Sequence, residues 1–234
     1  MEAEDCPFCA IAAASPAPPR PTTSSPLPSN PPNKSVPMAP PVSPAHIILT
    51  HPLLLVFLDL QPLTHGHVLL CPRAHRGQVG DLSPEEAEAV GWAVRVLGKA
   101  IGRWVSGGGR PVLPGTQERR EADGNSGSGS WNLVVNNGPL AAQTIPHVHF
   151  HFIPRWPLDS TPPHLLPAGP NAASQTPSER EAESRRKTWI MFGRGQRGDL
   201  DDEEAAFVGD ALRTEVDAVL REDRERAKIT MGKL

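Results

Sequence analysis

The run HVHFHFI at 147–153, stopped by Pro154, constrains the fold more than any other stretch of the chain. In a strand, alternate side chains share a face. His147, His149 and His151 then point one way, and Val148, Phe150 and Phe152 point the other, towards a core. Imidazoles gathered on a sheet face are costly to bury without partners. A phosphate, a metal ion or a hydrogen-bond network is therefore expected to meet them. Histidine suits phosphoryl or nucleotidyl transfer, because its ordinary pKa near neutrality leaves a neutral ring nitrogen available as nucleophile. Neighbouring imidazoles and backbone N–H groups can stabilise charge on the transferring phosphorus. A strand of structurally satisfied histidines and a strand that only grips a metal are the competing readings.

Other apolar runs supply neighbours for this strand. HIILT at 46–50 is broken by Thr50, His51 and Pro52, and LLLVFLDL follows at 53–60, so two short strands joined by a tight turn are expected. HVLLCP at 67–72 reads as a third strand ended by Pro72, and WNLVVNN at 131–137 as a fourth. A helix is expected from the N-cap Ser83 to about Val105, with Pro84 at its first position and Glu86 completing a capping box. Ala87, Val90, Val94, Leu97, Ile101 and Trp104 recur at three- and four-residue steps and give it a buried face. A second helix from Asp201 to about Arg226 puts Phe207, Val208, Ala211, Leu212, Val216, Val219 and Leu220 on one side. This order predicts an α+β fold: an antiparallel, meandering sheet of about five strands with two main helices.

The 28 prolines and 20 glycines exceed what such a core uses. Residues 14–45 are expected to be a disordered Pro-rich linker, 106–130 a flexible Gly/Ser-rich insertion and 157–187 a polar Pro-rich linker. The expected organisation is a Cys-x-x-Cys knuckle at 1–13, a domain at 46–156 and a C-terminal extension with a helix at 188–234. Within that extension, TWIMFGRGQRG is expected to dock on the domain. A net charge of −3 offers no global basic surface for nucleic acid. LLLVFL at 53–58 is too short to span a membrane, and the N-terminus shows no secretory pattern. Cys6, Cys9 and Cys71 cannot build a disulfide framework, which leads to the expectation of a reduced protein of the cytoplasm or nucleus. Arg73, Arg76 and Arg155 read as solvated charges, Trp131 as core and Cys71 as a small core residue.

HVHFHFIPR at 147–155 resembles the signature of the histidine-triad (HIT) superfamily. NNGPLAAQTIP at 136–146 is similar to that family's Asn/Gln-x-Gly-x-x-x-Gly-Gln-Ser/Thr loop, and FLDLQPLTHGHVLLCPRAH at 57–75 to its base and ribose wall. The resemblance covers residues 1–12 and 46–156, with 106–130 inserted. It implies an α+β half-barrel, usually dimeric, of the nucleotide hydrolase or transferase branch. It further implies a two-step reaction in which the middle histidine, His149, attacks the α-phosphorus of a dinucleoside polyphosphate or nucleoside phosphoramidate. Water then hydrolyses the nucleotidyl-histidine and releases a nucleoside monophosphate, AMP for an adenine substrate. By the same resemblance His147 belongs to the triad, His151 contacts the phosphate, His67 supports the nucleophile and Asp59 bonds the ribose. Asn136, Gln143 and Thr144 match phosphate-side contacts. The sequence departs from the pattern at Ala142, whose methyl group replaces a loop glycine and narrows the backbone's approach to phosphate.

Cys6-Pro-Phe-Cys9 has the spacing of a zinc or redox knuckle, or is simply a pair of reduced cysteines near a chain end. The resemblance adds that Cys6, Cys9, His75 and His147 form a closed Cys₂His₂ structural zinc site. No organic cofactor, membrane or nucleic-acid partner is expected. The competing function is a non-catalytic nucleotide-binding, zinc-stabilised interaction module whose proline-rich segments recruit partners.

Overall fold

The computed structural model describes residues 3–18, 35–36, 45–109, 129–156 and 199–231. Most of the expected 14–45 linker, all of the expected 157–187 linker, most of the expected insertion and the TWIMFGRGQRG segment lie outside the described residues; within the first linker, Ser35–Val36 form a short strand against Ala45 and His46 rather than the disordered chain expected there. The helices are α1 (Pro7–Ala14), α2 (Pro84–Ser106) and α3 (Asp202–Met231). The strands are β1 (Ser35–Val36), β2 (Ala45–Thr50), β3 (Leu54–Leu58), β4 (Val68–Pro72), β5 (Trp131–Val135) and β6 (Phe150–Pro154). All pairings are antiparallel, in the order β1-β2-β3-β4-β6-β5. The class is α+β, with an open sheet between unequal helical layers.

One face of the sheet carries Leu54, Val56, Leu58, Val68, Leu70, Val148, Phe150 and Phe152, packed under α2 and α3. The other carries Ile47, Leu55, Phe57, Leu69 and Cys71 and receives Cys6, Phe8 and Ile11 of the N-terminal segment. The alternation of the histidine run therefore sorts side chains as expected. Its regular ladder, however, begins only at Phe150. His147 to His149 precede it, and the Val148 N–H is taken by Arg76 O at 2.6 Å rather than by a strand.

α2 starts as its sequence dictates. Ser83 Oγ accepts from Glu86 N–H at 3.2 Å, while the Glu86 carboxylate accepts from Ser83 N–H at 2.7 Å. Such a box contributes about 1 kcal/mol. The buried stripe is wider than the period alone suggests. Ala89, Ala93, Val96 and Ala100 are buried, while Ala87 is exposed. The reason is α3, which packs along α2 and covers a second side of it. Small residues there let two helices approach closely. On α3 the buried residues are Ala205, Val208, Ala211, Leu212, Val216, Val219 and Leu220; Phe207, expected among them, is 46% exposed. It sits one residue, roughly 100°, away from the stripe set by Val208 and Leu212.

Arg73 is not a solvated charge. It is half-buried and donates to Ala12 O at 3.1 Å, Ser15 O at 2.6 Å and His51 O at 2.8 Å. The first two bonds satisfy carbonyls at the C-terminal end of α1, which otherwise have no intrahelical partner, and the third ties that end to the β2–β3 turn. Arg76 pairs with Glu86 and Arg155 with Asn132, so both are structural ties as well.

Candidate active site and metal-ligand cluster

The end of β4, the start of β6 and the β3–β4 turn bring the predicted histidines together. His147, His149, His151 and His67 are 0%, 5%, 4% and 1% exposed, and Asp59 is 7% exposed. Buried imidazoles need partners, and the partners fix their tautomers. His149 Nδ1–H donates to His147 O at 2.7 Å, which places the lone pair at Nε2. His151 stands against His149 with ring centroids 4.8 Å apart. Leu63 N–H donates to His67 Nδ1 at 3.1 Å, so His67 Nε2–H donates to His151 Nδ1 at 3.0 Å. His151 then carries its own proton at Nε2. Asp59 Oδ2 lies 3.3 Å from His67 Nδ1 and 4.0 Å from His151 Nδ1, where a carboxylate stabilises positive charge arriving on either ring. Its other oxygen accepts from Gln61 N–H at 2.9 Å and so keeps the carboxylate in the turn.

His147 faces away from this relay. Its Nε2–H donates to Pro72 O at 3.0 Å, leaving Nδ1 towards Cys6 Sγ at 3.4 Å and Cys9 Sγ at 3.6 Å. His75 Nδ1 lies 3.3 Å from Cys9 Sγ. The ligand atoms of Cys6, Cys9, His75 and His147 all fall within 4.8 Å of one another, a group able to hold a metal ion. Burial lowers the His147 pKa to about 4, which keeps the ring neutral as a ligand must be. Burial, the Cys6 hydrogen bond and the Cys6 charge push the Cys9 thiol up to about 11. A crowded Cys9 thiol that resists ionisation is the chemistry a bound cation would relieve. Cys71 is fully buried on β4, and burial raises its thiol far above the usual range, in keeping with a small core residue.

The loop after β5 arrives beside Arg76 and Gly77. Gln143 Oε1 accepts from Gly138 N–H at 2.6 Å, and its Nε2 donates to Gly77 O at 2.8 Å and Ile145 O at 3.0 Å. In this structure Gln143 braces the loop. Asn136 Nδ2 lies 3.5 Å from Ala142 O, and Thr144 is exposed. Ala142 adopts a left-handed backbone, φ 65°, where a glycine would be unstrained.

Phe8 escaped the sequence reading. It lies between the two cysteines, and its ring meets His149 edge-on at 5.1 Å and His147 at 5.7 Å. The metal-ligand cluster and the relay therefore share an aromatic wall. Its sequence signal was an apolar residue inside the knuckle. His65 also escaped notice: it stacks on Trp104 at 5.3 Å, and its carbonyl accepts from Trp156 Nε1 at 3.0 Å.

Residues 41–158 match the family model described as "HIT domain". Among curated proteins, the chain is 32% identical over 118 residues to the adenylylsulfatase HINT3 of Arabidopsis thaliana, covering 48% of this chain and 49% of that protein. It is 31% identical over 101 residues to the adenosine 5'-monophosphoramidase hnt1 of Schizosaccharomyces pombe, covering 43% of this chain and 57% of that protein. The chain thus spans about half the length of the curated relatives it matches. Among solved structures, a Zn-bound histidine triad family protein from Mycobacterium smegmatis aligns at 20% identity and TM-score 0.47, over 96% of this chain and 99% of that one. With the alternating histidines, the loop that follows β5 and the β3–β4 turn all inside the matched half, the chain belongs to the HIT domain family.

Proposed function

We propose that the protein is a nucleotide hydrolase or transferase that cleaves at the α-phosphorus through a nucleotidyl-histidine on His149. The observation that carries this reading is the 2.7 Å bond from His149 Nδ1–H to His147 O, which puts the ring's lone pair at Nε2, the nitrogen that attacks in this reading. Nε2 attacks the α-phosphorus, a P–N bond forms, and the bond to the leaving group breaks with its electron pair. His151, carrying its proton at Nε2 and packed against His149, would donate to the charge that develops, and His67 and Asp59 would stabilise the positive charge left behind. Water then attacks the same phosphorus, the P–N bond breaks, and a nucleoside monophosphate leaves. Asp59 would take the ribose, and Asn136, Gln143 and Thr144 the phosphate side.

The names of the two relatives, an adenylylsulfatase and an adenosine 5'-monophosphoramidase, both denote cleavage of an AMP derivative and support an adenylyl substrate. Phosphoramidates and dinucleoside polyphosphates remain the two leaving-group classes. A homodimer is part of the proposal, with the open edge of β5, where Leu133 and Val135 are 40% and 38% exposed, as its seam.

Zinc is the proposed metal. Tetrahedral bonds of ~2.3 Å to sulfur and ~2.05 Å to nitrogen put S and N about 3.5 Å apart. The observed separations are 3.3, 3.4 and 3.6 Å, so the residues fit. With its four protein ligands, the ion would supply cross-linking of α1 to the sheet and no open position for substrate. His147 gains the outer-shell tie usual for such ligands from Pro72 O.

Comparative hydrolysis tests the reading, with an adenosine phosphoramidate and a diadenosine polyphosphate offered to wild type and His149→Ala. AMP release by the wild type and none by the variant is expected. Nucleotide binding that survives His149→Ala, with no turnover in the wild type, would replace the enzyme by a binding module.

A further inference from the structure

The parts that hold the relay extend beyond the half of the chain that carries the family match. That match ends at residue 158, and α3 begins at Asp202. α3 is nevertheless joined to the sheet by directed polar contacts. The β2–β3 register slips between Ile47 and Leu49, and the Arg213 guanidinium on α3 donates to Ile47 O at 2.7 Å. At its other end, the approach to α3 meets the β3–β4 turn. Leu200 N–H donates to Leu60 O at 3.0 Å. His65 Nδ1–H donates to the Glu204 carboxylate at 2.5 Å, both side chains being partly buried.

This turn is the one that carries Asp59 and His67. It closes on itself through Asp59 N–H to His67 O at 3.0 Å and His67 N–H to Thr64 O at 3.1 Å. Thr64 Oγ1 ties it to Pro154 O at 3.0 Å, and Trp156 Nε1 ties it through His65 O. A single residue, Gly66, separates His65 from His67, and a Cβ there would stand 2.1 Å from the Trp104 ring. No slack lies between the histidine that α3 holds and the histidine that backs His151. Displacing His65 therefore displaces His67.

We propose that Glu204 is a positioning residue for the histidine relay: by holding His65 it fixes the β3–β4 turn and keeps His67 in register with His151. The inference rests on His149 being the nucleophile, because turnover is the property that this register sets. α3 then belongs to the catalytic unit of this chain rather than being only a cover for α2.

The test uses the full chain with ¹⁵N-labelled histidine. Two-bond ¹H–¹⁵N spectra report the protonation and hydrogen bonding of each ring, and steady-state kinetics with an adenosine phosphoramidate report kcat and KM. Glu204→Ala is expected to move the His67 and His151 ring signals and to lower kcat by roughly tenfold to hundredfold, with KM changing less. Glu204→Gln, which still accepts from His65 Nδ1–H, is expected to recover most of both. Asp223→Ala, which removes the Arg95 pair further along the same helix, is the control and is expected to change neither. The proposal is overturned if Glu204→Ala leaves the ring signals and kcat as in wild type. It is equally overturned if Asp223→Ala reproduces both effects, since α3 would then act through stability alone. Should the wild type turn over no nucleotide, the enzyme reading fails separately, and the ring signals still decide. Movement in Glu204→Ala but not in Asp223→Ala supports the positioning role, and no movement overturns it.

Discussion

Replacing Gly66 by alanine tests how rigidly the β3–β4 turn is seated. Gly66 has φ +79°, and a side chain there costs about 1–2 kcal/mol in backbone strain alone. The added Cβ would lie 2.1 and 2.5 Å from two atoms of the Trp104 ring. Trp104 is 0% exposed and packed between His65 and Trp156, so it cannot swing aside without moving the loop. Overpacking of this kind costs about 1–3 kcal/mol. Together the two effects give roughly 2–5 kcal/mol, a large share of the ~5–15 kcal/mol that holds a domain folded. Gly91 supplies the opposite case on the same scaffold. It sits within α2 and a Cβ there would meet nothing within 4 Å. Gly91→Ala is therefore expected to stabilise by about 0.5–1 kcal/mol. Urea unfolding at constant m reads both changes. A Gly66→Ala variant within ~0.5 kcal/mol of wild type would refute the packed turn, and with it the transmission from His65 to His67.

Ala142→Gly should relieve the left-handed strain in the loop after β5 and raise stability by up to about 1 kcal/mol, read by the urea midpoint. Phe8→Ala should cost about 3–5 kcal/mol, because a buried ring between Phe57, His147 and His149 is lost; a chemical-denaturation shift under ~1 kcal/mol would show that α1 does not pack on the triad. The His51 pKa is lowered by burial and then by the Arg73 charge. The folded state therefore resists protonating it, the unfolded chain takes the proton first, and stability falls as pH drops below about 6.5. His51→Gln, which retains an acceptor for Leu53 N–H, should flatten that acid slope in a series of urea melts. Cys9→Ser or a strong chelator should abolish stoichiometric zinc in metal analysis and lower the melting temperature; retention of zinc by Cys9→Ser would remove Cys9 from the ligand set.

The legible parts of this molecule were those in which local pattern and tertiary environment agree. The start of α2 was readable because Ser83, Pro84 and Glu86 act within one turn. The sorting of the histidine run was readable because period two survives even where His147 to His149 leave the ladder. The Cys6, Cys9, His75 and His147 group came from family resemblance, since no local pattern joins residues 141 positions apart, as Cys6 and His147 are. What escaped depended on contacts made across the fold. Arg73 looks like any surface arginine until α1 ends beside it. The second buried side of α2 exists only because α3 lies along it, and Phe207 fell outside the stripe by a single residue. His65 carries no signal in sequence, because its value comes from Trp104, Trp156 and Glu204, each far away in the chain.

Rapid-quench intact-mass measurement with an adenosine phosphoramidate addresses the nucleophile most directly. Covalent catalysis at His149 predicts an adduct of one AMP on the wild-type chain within the first turnover, mapped to His149 and absent from His149→Ala. An adduct mapped to another residue, or one that persists in His149→Ala, would contradict it.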